Sequence, residues 1–267
     1  MDMLYFKWKY LEKSRKRKVA KIYSKNNSLK QQYEDAKKKL TIAYGAVAVF
    51  FVAWIANIII FHSFNPLFLF PCFMGFFVSG ACSAALKKKV EKLESGVQGE
   101  TNTIQFISTL PDTYSAIQNV RVEYEGKVSE LDTVVVGPNG IFVIETKNHN
   151  GTISGSYIDD RLLQSKVGQG GTPYSNQFYN PIKQVSTHVY RLSNMLRDKG
   201  FDVWVQSVVY FSNPRANVEV EYDFNQTPVF AKQNNGDREL CTYINEYEGK
   251  TQLNYNDVEE IVNVLIK

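Results

Sequence analysis

Two carboxylates and one ammonium group, at Asp132, Glu145 and Lys147, have the residue types and the spacing for acid–base or metal-assisted chemistry. Side chains two positions apart on a β-strand lie on the same face, so Glu145 and Lys147 should share one. The turn expected at residues 137–140 folds the preceding strand back antiparallel and brings Asp132 across from the neighbourhood of Glu145. We therefore expect the three side chains to meet on one sheet face.

A bound divalent cation would offset the repulsion between the two carboxylates of such a group. Carboxylates this close repel, and each raises the pKa of the other, so the group is costly as part of a core. Mg²⁺ prefers few carboxylates together with water and phosphate oxygens. A lysine beside the ion can orient or deprotonate an attacking water, or stabilise charge on a phosphate. The alternative is a salt bridge on a solvated sheet face, and the spacing of Glu145 and Lys147 does not decide between the two.

The elements that would position these residues lie after residue 97, where apolar spacing predicts an α/β domain of order α-β-β-β-α-β-(β)-α-α. The predicted helices span 98–110, 181–199, 238–247 and 257–266, and the predicted strands span 114–124, 128–136, 141–147, 203–211 and 228–231. A break is expected at Ser95-Gly96, and Asn256 is expected to cap the last helix. Residues 148–176 are rich in Gly, Ser and Asn, which predicts a mobile loop with a short strand-like patch at 151–157.

The stretch before the α/β domain has a different composition. Residues 41–86 contain no Asp, Glu, Lys or Arg, although the chain is 22% charged overall. A polar break divides this stretch into runs at 41–61 and 67–86, each about 20 residues or about 30 Å as helix. The pattern predicts a transmembrane hairpin, and the alternative is an unusually apolar pair of soluble helices. Gly75, Ser79 and Ser83 recur every four residues and would let the first helix approach closely.

The flanks of the hairpin predict its orientation. Lysines at 37–39 and 87–89 should stay in the cytoplasm, so both termini and the α/β domain are expected there. Residues 5–21 combine aromatic and basic side chains, which is typical of an interfacial helix bound to anionic lipid headgroups; nucleic-acid phosphates are the other candidate partner. The three cysteines form neither a disulfide framework nor a zinc-ligand spacing, which favours a reducing compartment.

Three stretches of the sequence carry a resemblance to a known family. They are Gly99-Glu100, residues 130–148, and residues 180–184 with His188. Together they closely resemble the NERD (nuclease-related) domain, which is similar to the PD-(D/E)xK nuclease superfamily. The resemblance covers about residues 97–211 and implies a restriction-endonuclease-like α-β-β-β-α-β core, here preceded by an all-α two-helix transmembrane hairpin. The expected divisions are a basic and aromatic segment at 1–40, the hairpin at 41–89, the nuclease-like domain at 97–215, and a strand and helices at 216–267 packed on it.

The resemblance also implies roles for individual residues. Asp132 and Glu145 match the metal-binding acids, and Lys147 matches the lysine of the motif. Glu100 matches a helix glutamate that assists the metal, which is Mg²⁺ or Mn²⁺. Gln184 matches a polar residue bordering the active site, as does His188, although either could instead cap a strand or loop. Leu131 stands where the superfamily has a proline, a departure that leaves the carboxylate in place.

These features predict a membrane-tethered, metal-dependent nuclease that acts on nucleic acid, with DNA favoured over RNA. Residues 87–267 hold 18 basic and 23 acidic side chains, and this acidity argues against an ordinary nucleic-acid-binding surface. A local basic stripe could still form; its candidate members are Lys127, Arg161, Lys166, Lys183 and Arg191. The alternative function is a non-catalytic module with the same fold that binds nucleic acid or a protein at the membrane.

Overall fold

The computed structural model describes residues 19–24, 28–61, 66–168 and 170–267, without the side chains of residues 60, 61 and 66–68. The chain divides into two compact units. One is Asn27–Gln98, and the other combines Met1–Asn26 with Gly99–Lys267. Most of the aromatic and basic segment at 5–21 therefore lies outside the described residues.

The first unit is the helical hairpin. Its helices are α1, Ser28–Phe61, and α2, Pro66–Ile107, and the part of α2 after Gln98 belongs to the other unit. The most apolar 18-residue windows within Ser28–Ile59 and Leu69–Ile107 have mean hydropathies of 2.2 and 1.7, and 0% and 6% of these windows is buried. A helix in a soluble core would be mostly buried, so both helices have the length and composition to cross a membrane.

Small residues bring the two helices of the hairpin together, as their spacing predicts. A Cβ on Gly75 would lie 2.5 Å from the ring of Phe50 on α1. Ser79 and Ser83 are buried, and each hydroxyl donates to the carbonyl four residues back on α2. The hydroxyls are thereby satisfied within the helix, which suits an apolar surrounding.

The predicted break at Ser95-Gly96 is wrong, because α2 runs through it without interruption. The separate helix expected at 98–110 is the last part of this long helix. Packing against Leu29 explains why position 96 is a glycine, because a Cβ there would lie only 3.0 Å from Leu29 Cδ2. Gly96 is therefore a close-packing residue, and the roughly 1 kcal/mol helix penalty of glycine is offset by that contact.

The second unit is built on a six-stranded sheet of order β1-β2-β3-β4-β8-β10. Its strands are Lys21–Ser24, Ser115–Tyr124, Lys127–Gly137, Gly140–Lys147, Val205–Phe211 and Val229–Ala231. β2, β3 and β4 form an antiparallel meander, whereas β1 pairs parallel to β2 and β8 pairs parallel to both β4 and β10. The sequence did not predict β1, which lies before the hairpin and forms an edge of this sheet.

Helices cover both faces of the main sheet. On one face, α3 (Pro181–Asp198) and α5 (Tyr255–Ile266) pack on residues such as Val134, Val143 and Val209. On the other, the end of α2 and α4 (Gly236–Glu246) pack on residues such as Phe142 and Tyr210. The cap of α5 is Asn254, two residues before the predicted Asn256, and its side chain accepts hydrogen bonds from the backbone of Asn256 and Asp257.

The expectation of a mobile loop at 148–176 is wrong, since most of it is β-structure. A second sheet has the order β7-β6-β5-β9. Its strands are β5, Gly151–Ser156; β6, Arg161–Val167; β7, Pro173–Tyr179; and β9, Ala216–Glu221. Only the alternating patch in β5 was foreseen. β7 is exposed along nearly its whole length, so no apolar alternation marks it in the sequence.

Candidate active site

The two acids of the predicted group stand next to each other at the end of the β3–β4 ladder. The last paired residues of that ladder are Thr133 and Ile144, so Asp132 and Glu145 are the next residues along the two strands. The backbone N–H of Thr146 donates to Asp132 Oδ2 at 2.8 Å, which fixes the first carboxylate against β4. The structure thus brings the acids together in the way that the spacing predicts.

A distortion of the sheet accompanies Asp132. Leu131 and Val134 contribute to the same core cluster, although residues three apart on a regular strand lie on opposite faces. On β2, the pairs of Gln118 and Val120 with β3 leave Asn119 opposite Asp132, and Asn119 has a φ of 56°. Such a backbone is uncommon for a residue with a side chain and is found at functional sites. The sequence offered no signal for it.

Lys147 lies between β4 and helix α3. Its Nζ donates to Glu145 Oε1 at 2.7 Å and to Gln184 Oε1 at 3.0 Å, so the predicted polar residue of α3 does border the group. Asn180 caps α3 by accepting from the Ile182 N–H, and this start positions the helix so that Gln184 reaches β4. His188, one turn further on, places Nε2 3.5 Å from both Gln184 Nε2 and Glu145 Oε2.

The pKa values of the two carboxylates are shifted in opposite directions. Burial and the neighbouring charge of Glu145 raise the pKa of Asp132 well above its ordinary value, against the opposing effects of Lys147 and the Thr146 N–H. Burial also acts to raise the pKa of Glu145, but His188 and Lys147 outweigh it and lower that pKa. Burial acts to lower the pKa of Lys147, yet Glu145 and Asp132 raise it overall. Pairs of acids with separated pKa values are a mark of functional sites.

Two of the predicted ligands, Asp132 and Glu145, are of the residue type that could bind a divalent cation. Glu145 is 1% exposed, and the nearest polar group to its Oε2 is His188 Nε2 at 3.5 Å, so this oxygen lacks a hydrogen bond of normal length among the described atoms. A buried carboxylate oxygen left in this condition is costly unless a cation completes it. Mg²⁺ takes few carboxylates and completes its coordination with water and phosphate oxygens, so two neighbouring acids could supply its protein ligands.

The third predicted metal ligand, Glu100, lies on a different element. It is buried on α2, and its charge contributes to the raised pKa of Asp132, so the two groups are near each other. Within residues 19–24, 28–61, 66–168 and 170–267, however, no three Asp, Glu, His or Cys side chains are grouped closely enough to hold a metal. The set Asp132, Glu145 and Glu100 therefore remains a prediction.

Gly99 explains how α2 approaches the site. A Cβ at Gly99 would lie 2.9 Å from both Asn148 Cβ and Ser212 Oγ. Four residues later, Thr103 Oγ1 lies 3.2 Å from Thr146 Oγ1 on β4. The glycine ahead of Glu100 thus allows the helix to lie directly on the strand that carries the candidate site.

Four of the five candidate residues of a basic stripe are either engaged by neighbouring side chains or divided between two faces. Lys183 is paired with Asp160 at 2.6 Å, and Arg191 donates to the hydroxyl of Ser129. Arg161 and Lys166 are five residues apart on β6 and so lie on opposite faces of that strand. His149, which follows β4 outside any strand or helix, stacks its ring on Phe178 of β7, with 4.3 Å between centroids.

Comparison with known proteins bears on this geometry. Residues 95–212 match the sequence profile of the nuclease-related domain family, NERD. An uncharacterised protein of Bacillus anthracis is 34% identical to this chain over 109 residues, which are 40% of this chain and 49% of the relative. The match thus spans about half the length of that relative, and no solved structure matches. The matched residues include β2, β3, β4 and α3, so the similarity to the nuclease-related domain covers the part of the chain that carries the candidate site.

Proposed function

We propose that this protein is a membrane-anchored, metal-dependent nuclease that hydrolyses phosphodiester bonds, with DNA favoured over RNA. The observation that carries the proposal is the pair Asp132 and Glu145 beside the charged Lys147, in a part of the chain similar to the nuclease-related domain. A buried carboxylate pair with separated pKa values is expensive to keep for stability alone. Phosphodiester hydrolysis by a bound Mg²⁺ or Mn²⁺ makes use of both acids.

Each residue of the group has a distinct part in this proposal. Asp132 and Glu145 would hold the cation, with Glu100 adding negative charge from α2. The bound cation would lower the pKa of a water and neutralise charge on the scissile phosphate. Glu145 and Asp132 raise the pKa of Lys147 against the lowering effect of burial, so Lys147 would act as an ammonium that stabilises negative charge on the phosphate. Gln184 positions Lys147 through their 3.0 Å hydrogen bond.

The sheet supports anchoring through a hairpin with both ends on one side of the membrane. β1 precedes α1 in sequence and β2 follows α2, yet the two strands pair directly from Lys21–Ser115 to Ser24–Gln118. Both flanks of the hairpin thus belong to a single folded sheet, which supports two membrane crossings with both ends on the same side. Lysine-rich flanks then favour the cytoplasm for this domain and both termini.

The alternative is a nuclease-like module that binds nucleic acid or a protein at the membrane without cleavage. It is favoured by the ion pair between Lys147 and Glu145, which engages one oxygen of the carboxylate that would bind metal. In an enzyme this contact must share Glu145 with the cation. In a binding module the pair would neutralise the buried Glu145 carboxylate, while the hydrogen bond from Lys147 to Gln184 holds β4 against α3.

A cleavage assay on the full-length protein in detergent separates the two functions. Supercoiled, linear and single-stranded DNA and RNA are each incubated with Mg²⁺, Mn²⁺ or EDTA, using wild type, Lys147→Ala and the surface control Lys127→Ala. The proposal expects metal-dependent cleavage by wild type and by the control, and none by Lys147→Ala. Equal activity of wild type and Lys147→Ala would mean that the cleavage arises elsewhere and would overturn the proposed site.

A further inference from the structure

The β6–β7 hairpin lies against the segment that follows the candidate site. Gln164 Nε2 on β6 donates to the carbonyl of Asn150 at 2.7 Å. The ring of His149, two residues after Lys147, stacks on Phe178 of β7 with an interplanar angle of 36°. One face of the β6–β7 hairpin therefore contacts His149 and Asn150, the residues that closely follow the candidate catalytic Lys147.

Lys166 extends this face with a positive charge. A Cβ at Gly151 would lie 3.0 Å from Lys166 Cγ, so the lysine stem crosses the backbone immediately after the site segment. Gly151 has a φ of 85°, which keeps a side chain out of that space. Lys166 is half-buried, burial lowers its pKa, and no carboxylate forms an ion pair with it in the part of the chain that the structure describes. A lysine ammonium without an internal ion partner is available to pair with an anion from outside the protein.

Tyr174 places an aromatic ring beside that charge. It is the cross-strand partner of Lys166, and its side chain is 48% exposed. Phe178, four residues along β7, lies on the same face by the period of two. Phe178 is itself partly buried against the core, so the accessible part of this face lies at Lys166 and Tyr174. We call the face formed by His149, Lys166, Tyr174 and Phe178 the hairpin track.

We propose that the hairpin track binds single-stranded nucleic acid leading to the site, with a base stacked on Tyr174 and a phosphate at Lys166. This inference rests on the proposed nuclease function and names its substrate class. Aromatic side chains stack on bases whose faces are free, which a duplex does not offer. Duplex binding also relies on many phosphate contacts, whereas residues 87–267 carry 18 basic against 23 acidic side chains.

The same hairpin supplies a matched control. Arg161 and Tyr179 are also a cross-strand pair of one basic residue and one tyrosine. Each is five residues from its counterpart in the track, so this pair lies on the opposite face. Both residues are exposed. Charge and aromatic content can therefore be changed by equal amounts on either face.

The test measures binding by full-length protein in detergent, using fluorescence anisotropy in EDTA so that cleavage does not occur. The probes are a labelled single-stranded DNA, the matching duplex and the matching RNA strand. Tyr174→Ala should weaken single-strand binding roughly fivefold or more, and Tyr174→Phe should restore it. Lys166→Gln should reduce the slope of log affinity against log salt by about 0.7. Arg161→Gln and Tyr179→Ala should change neither quantity.

Three outcomes overturn the hairpin track. They are tighter binding of duplex than of single strand, equal losses from the two faces, and no loss from Tyr174→Ala when circular dichroism shows native structure. The proposed function is read separately, from metal-dependent cleavage by wild type and Lys147→Ala. Cleavage with no effect of the track variants would leave the nuclease standing and remove only this inference. Binding that depends on the track, without cleavage in any metal, would support the track and reject the nuclease.

Discussion

Replacing the two acids one at a time should change stability in opposite directions, although both replacements should abolish cleavage. The variants are Asp132→Asn and Glu145→Gln, each nearly isosteric with the residue it replaces. The reason is that the pKa of Asp132 is raised by burial and by Glu145, whereas the pKa of Glu145 is lowered by His188 and Lys147. In the metal-free protein, one ionised carboxylate costs stability and the other contributes to it.

The expected magnitudes follow from the contacts. Asp132→Asn removes a crowded charge, a gain of about 2 kcal/mol, and weakens the 2.8 Å bond from the Thr146 N–H by about 1 kcal/mol, for a net gain of about 1 kcal/mol. Glu145→Gln breaks a pair in which Glu145 is 2% and Lys147 20% exposed. Breaking such a pair costs about 3–5 kcal/mol, and because Lys147 retains Gln184 and some water we expect about 2–3 kcal/mol.

Thermal unfolding in EDTA at pH 7.5, followed by near-UV circular dichroism, measures both changes. In a folded unit of this size about 1 kcal/mol corresponds to roughly 2–4 °C. We expect the midpoint of Asp132→Asn to rise by about 2–4 °C and that of Glu145→Gln to fall by about 4–12 °C. Saturating Mg²⁺ should raise the wild-type midpoint and leave that of Asp132→Asn unchanged, because only the wild type binds the ion tightly.

The pH dependence gives a second check of the same reasoning. The folded pKa of Asp132 lies above its ordinary value of 3.8, so its stability cost is absent below that value and complete above the raised pKa. The folded pKa of Glu145 lies below its ordinary 4.5, so its contribution is present above 4.5 and is lost as pH falls through the folded pKa. Both differences from wild type should therefore shrink in acid. Two midpoints shifted in the same direction at pH 7.5 would refute the electrostatic assignment.

Two further predictions concern the scaffold around the site. Replacing residues 28–98 by a flexible Gly/Ser linker should give a protein that stays in the soluble fraction and keeps β1. Deleting residues 1–98 should give a lower thermal-unfolding midpoint than that linker variant, since the edge of β2 loses its partner. Equal midpoints of the two variants would contradict the role of β1. Gly99→Ala should reduce cleavage and lower the free energy of unfolding by about 1–3 kcal/mol, because the new methyl group meets Asn148 Cβ and Ser212 Oγ at 2.9 Å. Unchanged activity and stability would show that α2 does not need its close approach to β4.

Elements with strong apolar patterning were predictable from the sequence, and elements without it were not. β4 is fully buried from Gly140 to Glu145, and α3 has a clear apolar face, so both were assigned within two residues of their observed ends. β1 is four residues long and pairs with a strand some 90 positions away, a contact with no local signal. β7 is polar and exposed on nearly all positions, so its pairing with β6 left no alternation to detect.

The candidate site divides in the same way. The shared face of Glu145 and Lys147 follows from the strand period, and the position of Asp132 follows from the turn between β3 and β4. The hydrogen bond between Lys147 and Gln184 depends on how α3 packs on the sheet, and the positive φ of Asn119 depends on a distortion shared by two strands. Both are tertiary effects, which local spacing does not encode.

The central claim is that Asp132 and Glu145 hold a catalytic metal that Lys147 assists without binding it. The most direct measurement titrates Mn²⁺ into full-length protein by electron paramagnetic resonance and assays cleavage on the same samples. Wild type should bind Mn²⁺ and cleave, Asp132→Asn and Glu145→Gln should lose both properties, and Lys147→Ala should keep binding and lose cleavage. Tight Mn²⁺ binding that survives in both acid variants, or cleavage that survives in Lys147→Ala, would contradict the claim.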